Sequence, residues 1–204
     1  MLDVTPSIRN FAQAIDRQRQ AVERIPLLDG AGDVTAAAQS LDEAEAAALA
    51  ISWGPGFPAA ARAVNIPVLR ADAISEEFRI YESRAAGADA VLLKQAPAEL
   101  LKRLVQAATS THMAACVLCA TADDLAAAVA ARAPVIAVES LELKPPPRTL
   151  VLAMRPDLPD LRGRADAVID PSLSDPDAFR RSLEEPASPA TGGARTRGAP
   201  EEET

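Results

Sequence analysis

Aromatic side chains are scarce. The chain has one Trp, one Tyr and four Phe in 204 residues. With 49% of the residues hydrophobic, a sizeable core is affordable, but it must be built from Ala, Val, Leu and Ile. Two cysteines make no disulfide framework, and a single histidine makes no zinc site. Basic residues are outnumbered, 21 Lys and Arg against 29 Asp and Glu, for a net charge of −8. An acidic surface repels phosphate backbones, which argues against nucleic-acid binding. No apolar run reaches the ~20 residues of a membrane span. The opening MLDVTPSIRN lacks a basic stretch followed by an apolar one, so no signal peptide is expected. The expected location is the cytoplasm, with no membrane partner, no cofactor and no metal.

What is present is a repeating pattern. Residues 7–24 read as an amphipathic helix, with Ile8, Phe11, Ile15 and Val22 at near-helical spacing. Eight short apolar runs follow: IPLLD (25–29), ALAIS (48–52), IPVLRA (66–71), DAVLLK (89–94), AACVLCA (114–120), PVIAVES (134–140), TLVLAM (149–154) and DAVID (166–170). Between them lie Ala-, Leu-, Glu- and Arg-rich segments at 35–47, 57–64, 75–86, 97–110 and 121–132, the composition helices prefer. The runs are apolar on both faces, the mark of a parallel sheet covered by helices. Eight such strands can close into a (β/α)8 barrel; a doubly wound open sheet is the competitor. Residues 141–148 (LELKPPPR) hold three prolines and leave little room for a helix, and 155–165 is short. The reading is therefore an α/β chain with an N-terminal helical extension at 1–24, a barrel at 25–185 with reduced crossovers between strands 6, 7 and 8, and a disordered tail at 186–204. That tail contains no apolar residue larger than Ala.

Residues 66–94, IPVLRADAISEEFRIYESRAAGADAVLLK, resemble the third-strand to fourth-strand segment of the indole-3-glycerol-phosphate synthase family, where a typical sequence runs IPVLRKDFxxxxxQxxEARxxGADAxLLI. The match has no gap. Outside it the resemblance thins but keeps its order: 122–143 is similar to the family's fifth helix and sixth strand, and TLVLAM and ADAVIDPSL to its last two strands. The resemblance implies a (β/α)8 barrel with extra N-terminal helical structure. It also implies a chemistry, closure of an indole ring on an anilino-sugar phosphate with loss of CO2 and water. That chemistry needs an acid, a base or relay, and a phosphate cradle at the C-terminal ends of the strands.

Position by position, the resemblance implies that these groups are missing. Ala71 stands at the family's lysine acid, beside a matching Asp72. Leu27 and Asp29 stand at a Glu and a Lys of the first strand, and the Ser-Pro-Ser stretch after them is absent. Leu118 replaces a Glu on strand five, Glu139 an Asn on strand six, and Met154-Arg155-Pro156 a Glu-Ser-Gly on strand seven. Pro171-Ser172 replaces the Gly-Ser phosphate turn, and proline offers no N–H.

Strand alternation places Leu69, position 71, Leu92 and Lys94 toward the barrel axis, and Glu139 likewise. Lys94 and Glu139 are thus the catalytic candidates. The alternative is that they form an ion pair capping the mouth. Asp72, Arg155, Asp170 and Ser172 are the ligand candidates. Trp53 is expected to pack, plugging the mouth. Cys116 and Cys119, three apart on a strand, point to opposite faces and read as buried, inert thiols. His112 is placed at the opposite end of the barrel. Two functions follow: a degenerate homologue with a binding or regulatory role, or a working lyase using Lys94 and Glu139. Expected partners are a phosphorylated small molecule, a protein partner or a second copy. A missing sixth crossover helix would expose an apolar strip of sheet.

Overall fold

Four-residue runs such as Ala90–Leu93 and Val135–Val138 are buried at every position, which only a sheet covered on both faces allows. The computed structural model describes residues 4–17 and 20–184. A short helix α1 (Phe11–Ile15) comes first, then β1 (Glu23–Leu28), α2 (Thr35–Glu43), β2 (Leu49–Ile51), α3 (Phe57–Arg62), β3 (Val68–Ile74), α4 (Glu77–Ala86), β4 (Ala90–Leu93), α5 (Ala98–Ser110), β5 (Ala114–Cys119), α6 (Ala122–Ala130), β6 (Val135–Val138), β7 (Leu150–Ala153) and β8 (Ala167–Asp170). A 3₁₀ turn at Pro171–Leu173 leads to α7 (Pro176–Glu184). All neighbouring strands pair parallel, and β8 closes on β1. The predicted (β/α)8 barrel is the observed fold.

Strand alternation sorts the core into two shells. Ile25, Ala50, Leu69, Ala90, Leu92, Cys116, Ala137, Leu152, Ala167 and Ile169 fill the barrel, with Phe11 and Ile15 in the same cluster. Leu28, Ile51, Val68, Val91, Val117, Ile136, Val151 and Val168 face the helices. The scarcity of aromatics fits this interior, where alanines leave room for branched residues on neighbouring strands.

The N-terminal segment differs from expectation. In place of a helix over 7–24, the described residues of that span are α-helical only at Phe11–Ile15, and β1 already begins at Glu23. Phe11 and Ile15, one turn apart, plug the barrel, whereas Ile8 of the same periodic set is 99% exposed. The chain is held instead by polar staples. Ser7 donates to Asp89 (2.5 Å) and Arg9 pairs with it (2.7 Å). The GADA stretch thereby acquires a structural role, since the Asp89 carboxylate also accepts the Val68 N–H (2.9 Å). Asp166, in the second ADAV stretch, accepts the Val151 N–H in the same way (2.8 Å).

Among the described residues no helix lies between β6 and β7 or between β7 and β8, as the prolines and the short span predicted. The strip of sheet left behind is nevertheless covered, and the expectation of an exposed patch is corrected. Ile136, Val138, Val151 and Val168 are all buried, because Leu141, Leu143, Leu158 and Leu161 from the two loops pack against the outer shell. The predicted tail, 186–204, lies outside the described residues.

Candidate functional site

The C-terminal ends of the strands form the rim where barrels of this class build sites. Interior positions toward the C-terminal ends of the odd strands include Leu27, Ala71, Leu118 and Met154, all partly buried against the inner core, with Ala73 beyond Ala71 on β3. In such barrels alternate strands contribute a layer of four side chains; here none of the four carries an exchangeable proton. These are also the places where the resemblance puts the family's acid–base groups, or, for Met154, the start of its Glu-Ser-Gly stretch.

The even strands supply the polar rim. Lys94 and Glu139 each follow an interior residue by two, Leu92 and Ala137, so both continue the inward-facing rows. Both are exposed. They do not form the expected ion pair: among the described residues no salt bridge joins either to a partner. They directly follow β4 and β6, with β5 and its Leu118 between the two strands.

The other ligand candidates are committed to the protein. Asp170 follows Val168 in the outward row, so it does not face the mouth. It is buried, paired with Arg24, and accepts both the N–H (3.0 Å) and the hydroxyl (2.5 Å) of Ser172. Burial alone would raise its pKa; the hydrogen bonds from Ser172 and Arg24 outweigh that and leave it below the ordinary carboxylate value. Ser172 is thus a partner of Asp170 with its N–H already used. Arg155 is exposed and grips Asp157 with two bonds (3.0 and 2.6 Å). Asp72 is exposed and accepts the backbone N–H of Trp53. It lies where the β3–β4 register shifts between Arg70 and Ile74.

The loops after β1 and β2 are laced together. Asp29 accepts the Ala31 N–H (3.0 Å) and the Ser52 hydroxyl (3.0 Å), which hold its pKa below the usual carboxylate range. The Gly30 N–H donates to the Ser52 oxygen (3.0 Å) and the Gly56 N–H to the Gly30 carbonyl (2.9 Å). A Cβ on Gly54 would overlap the Gly30 carbonyl, and one on Gly56 that of Gly32. These glycines are present because the two backbones touch.

Trp53 does not plug the mouth. It points outward, packs with Phe57 (ring centroids 5.2 Å apart) and lies over the Arg70 guanidinium at 4.0 Å. Sequence reading passed over Arg70, although its place beside Leu69 put it on the outward row. Cys116 belongs to the inner cluster and Cys119 to the outer. Burial pushes both thiols up, Cys119 to about 11 with help from nearby Asp124. His112 lies at the α5–β5 turn, at the N-terminal end of β5 and so away from the rim. Among the described residues no group of three or more His, Cys, Asp or Glu converges as a metal site. No helix there is long and apolar enough to cross a membrane.

Residues 55–145 match the family model for indole-3-glycerol phosphate synthase. The enzyme of that name from Kineococcus radiotolerans is 40% identical over 84 residues, which is 40% of this chain and 31% of the relative. That from Mycolicibacterium smegmatis is 37% identical over 117 residues, 51% of this chain and 43% of the relative. The match thus spans less than half the length of either. Among solved structures, the 2-keto-3-deoxy-6-phosphogluconate aldolase of Zymomonas mobilis superposes with a TM-score of 0.62 at 11% identity, over 83% of this chain and 93% of that one. The N-acetylmannosamine-6-phosphate 2-epimerase of Clostridium perfringens gives 0.60 at 12%, over 89% and 98%. Likenesses at such identities carry the barrel fold alone.

Proposed function

We propose that this indole-3-glycerol phosphate synthase-like barrel does not close an indole ring and acts as a binding or regulatory module. The observation that supports this is the apolar layer Leu27, Ala71, Leu118 and Met154 at the mouth. General acids and bases contribute roughly 10²–10⁴-fold each, and no side chain of that layer can move a proton. The phosphate turn is altered as well, with Pro171 lacking an N–H and Ser172 donating to Asp170. A phosphorylated small molecule, a protein partner or a second copy of the chain are the partners this reading allows.

A second reading, a working lyase, is favoured by one feature. Lys94 and Glu139 are exposed at the mouth and tied to no partner by a salt bridge among the described residues. The two readings separate in one assay: incubate the protein with the anilino-sugar phosphate and follow indole fluorescence. The module reading expects a flat trace. Turnover abolished by Lys94→Ala would replace it with the lyase.

A further inference from the structure

At the C-terminal end of β3, between it and the start of α4, a cavity of ≈ 340 Å³ is lined by Trp53, Arg70, Ala73, Ile74, Ser75, Glu76 and Arg79. Arg70 is built into its wall. Its side chain is 6% exposed, and the Trp53 ring lies 4.0 Å from its Cζ. Nη1 donates to the Ser83 hydroxyl (3.0 Å), but the buried Nε–H has no acceptor. Glu82 does not satisfy it: the carboxylate is 3.6 Å from Arg70 and is held by both of its oxygens on Arg79 (2.8 and 3.0 Å). A buried donor left without a partner costs about 1–3 kcal/mol and asks for an explanation such as an absent water or ion.

A second observation falls in the same place. The first turn of α4 borders the cavity, and its N-cap residue Glu76 makes no side-chain capping bond. The N–H groups of Glu77 and Phe78 find no acceptor among the described residues. Free N–H groups at a helix start favour negative charge. Guanidinium groups supply donors only. Donors on the lining come from Arg70, Arg79 and the helix start; Glu76 is the one carboxylate among the lining side chains, with Glu82 on Arg79 and Asp72 near Arg70.

We propose that this cavity is a binding site for a small oxyanion, a phosphate monoester or a carboxylate, held by Arg70, Arg79 and the first turn of α4. The Trp53 ring lies against the Arg70 guanidinium and helps to fix its direction. The site lies at the C-terminal end of β3, on the side toward α4, and stands whether or not Lys94 and Glu139 are catalytic.

Trp53 is the only tryptophan in the chain, so its emission reports on this cavity. The purified protein is titrated at constant ionic strength with inorganic phosphate and, separately, with acetate, using chloride as the reference. A saturable change in emission is expected, half-complete on the order of 1 mM. Saturation with phosphate alone assigns a phosphate ester; saturation with acetate assigns a carboxylate. Arg79→Gln, a substitution at a half-exposed side chain, should weaken the response about tenfold, and Arg180→Gln on α7 should not change it. The proposal is overturned if neither anion gives saturation, or if Arg79→Gln titrates like the parent.

Discussion

Replacing Asp89 by alanine tests whether the N-terminal segment is a working part of the barrel floor. The Asp89 side chain is 1% exposed and serves four donors: the Ser7 hydroxyl (2.5 Å), the Val68 N–H (2.9 Å), Arg84 (2.9 Å) and Arg9 (2.7 Å). Its removal leaves two mostly buried guanidiniums facing each other and a strand N–H unpaired. Removing one partner of a buried ion pair costs about 3–5 kcal/mol. In a domain of this size each kcal/mol lowers Tm by about 2–4 °C, so a fall of about 10 °C is expected. Thermal unfolding followed by circular dichroism measures it. Asp89→Asn keeps the shape and one acceptor, and should lose about half as much. Native-state hydrogen exchange should show residues 4–15 losing protection first, because Ser7 and Arg9 anchor them there. The reasoning fails if Asp89→Ala costs less than about 1 kcal/mol, the value of an exposed pair. The arginines would then be held well enough by the carbonyls of Ala61, Val64 and Gly87 for Arg9 and of Thr5 for Arg84.

Three further outcomes are expected. The thiols of Cys116 and Cys119 should resist a disulfide reagent at neutral pH until the protein is unfolded, since burial raises both pKa values; rapid labelling of the native protein would contradict this. Asp170 has a folded pKa below its unfolded one, so its stabilisation is complete above the unfolded value near 3.9 and is lost as pH falls through the folded value. Asp170→Asn should therefore be less stable at neutral pH and show a shallower acid limb in urea unfolding; an unchanged limb would refute the assignment. Phe11→Ala should cost about 3–5 kcal/mol by leaving a void in the barrel core, whereas Ile8→Ala, at an exposed side chain, should fall within about 0.5 kcal/mol of the parent in the same urea titration.

The eight strands were legible because full burial on both faces writes an uninterrupted apolar run, and the five helices between β1 and β6 because composition switched between runs. Residues 141–148 announced the missing crossover through their prolines, but not that Leu141 and Leu143 would fold back to cover the sheet. Periodicity misled at the N-terminus: Phe11 and Ile15 belong to a helix, while Ile8 and Val22 share the spacing by accident. α7 was missed, although Asp175-Pro176 is a helix start and Phe179 a buried anchor. At the rim, alternation found the rows of Leu92 and Ala137. It did not find that Asp170 lies on the other row, a matter of where β8 begins. Arg70 was overlooked because an arginine within an apolar run reads as a motif letter until its stacking partner is known.

The interlocked glycines between the first two strand ends bind two loops into one mechanical piece. A lengthened first loop would need the second to retreat in the same step, because neither backbone can lift while the other presses against it. Insertions are therefore easiest on the opposite arc, after β6 and β7, where the connections are already irregular. Any new pocket wall this barrel acquires would be expected to grow from that side.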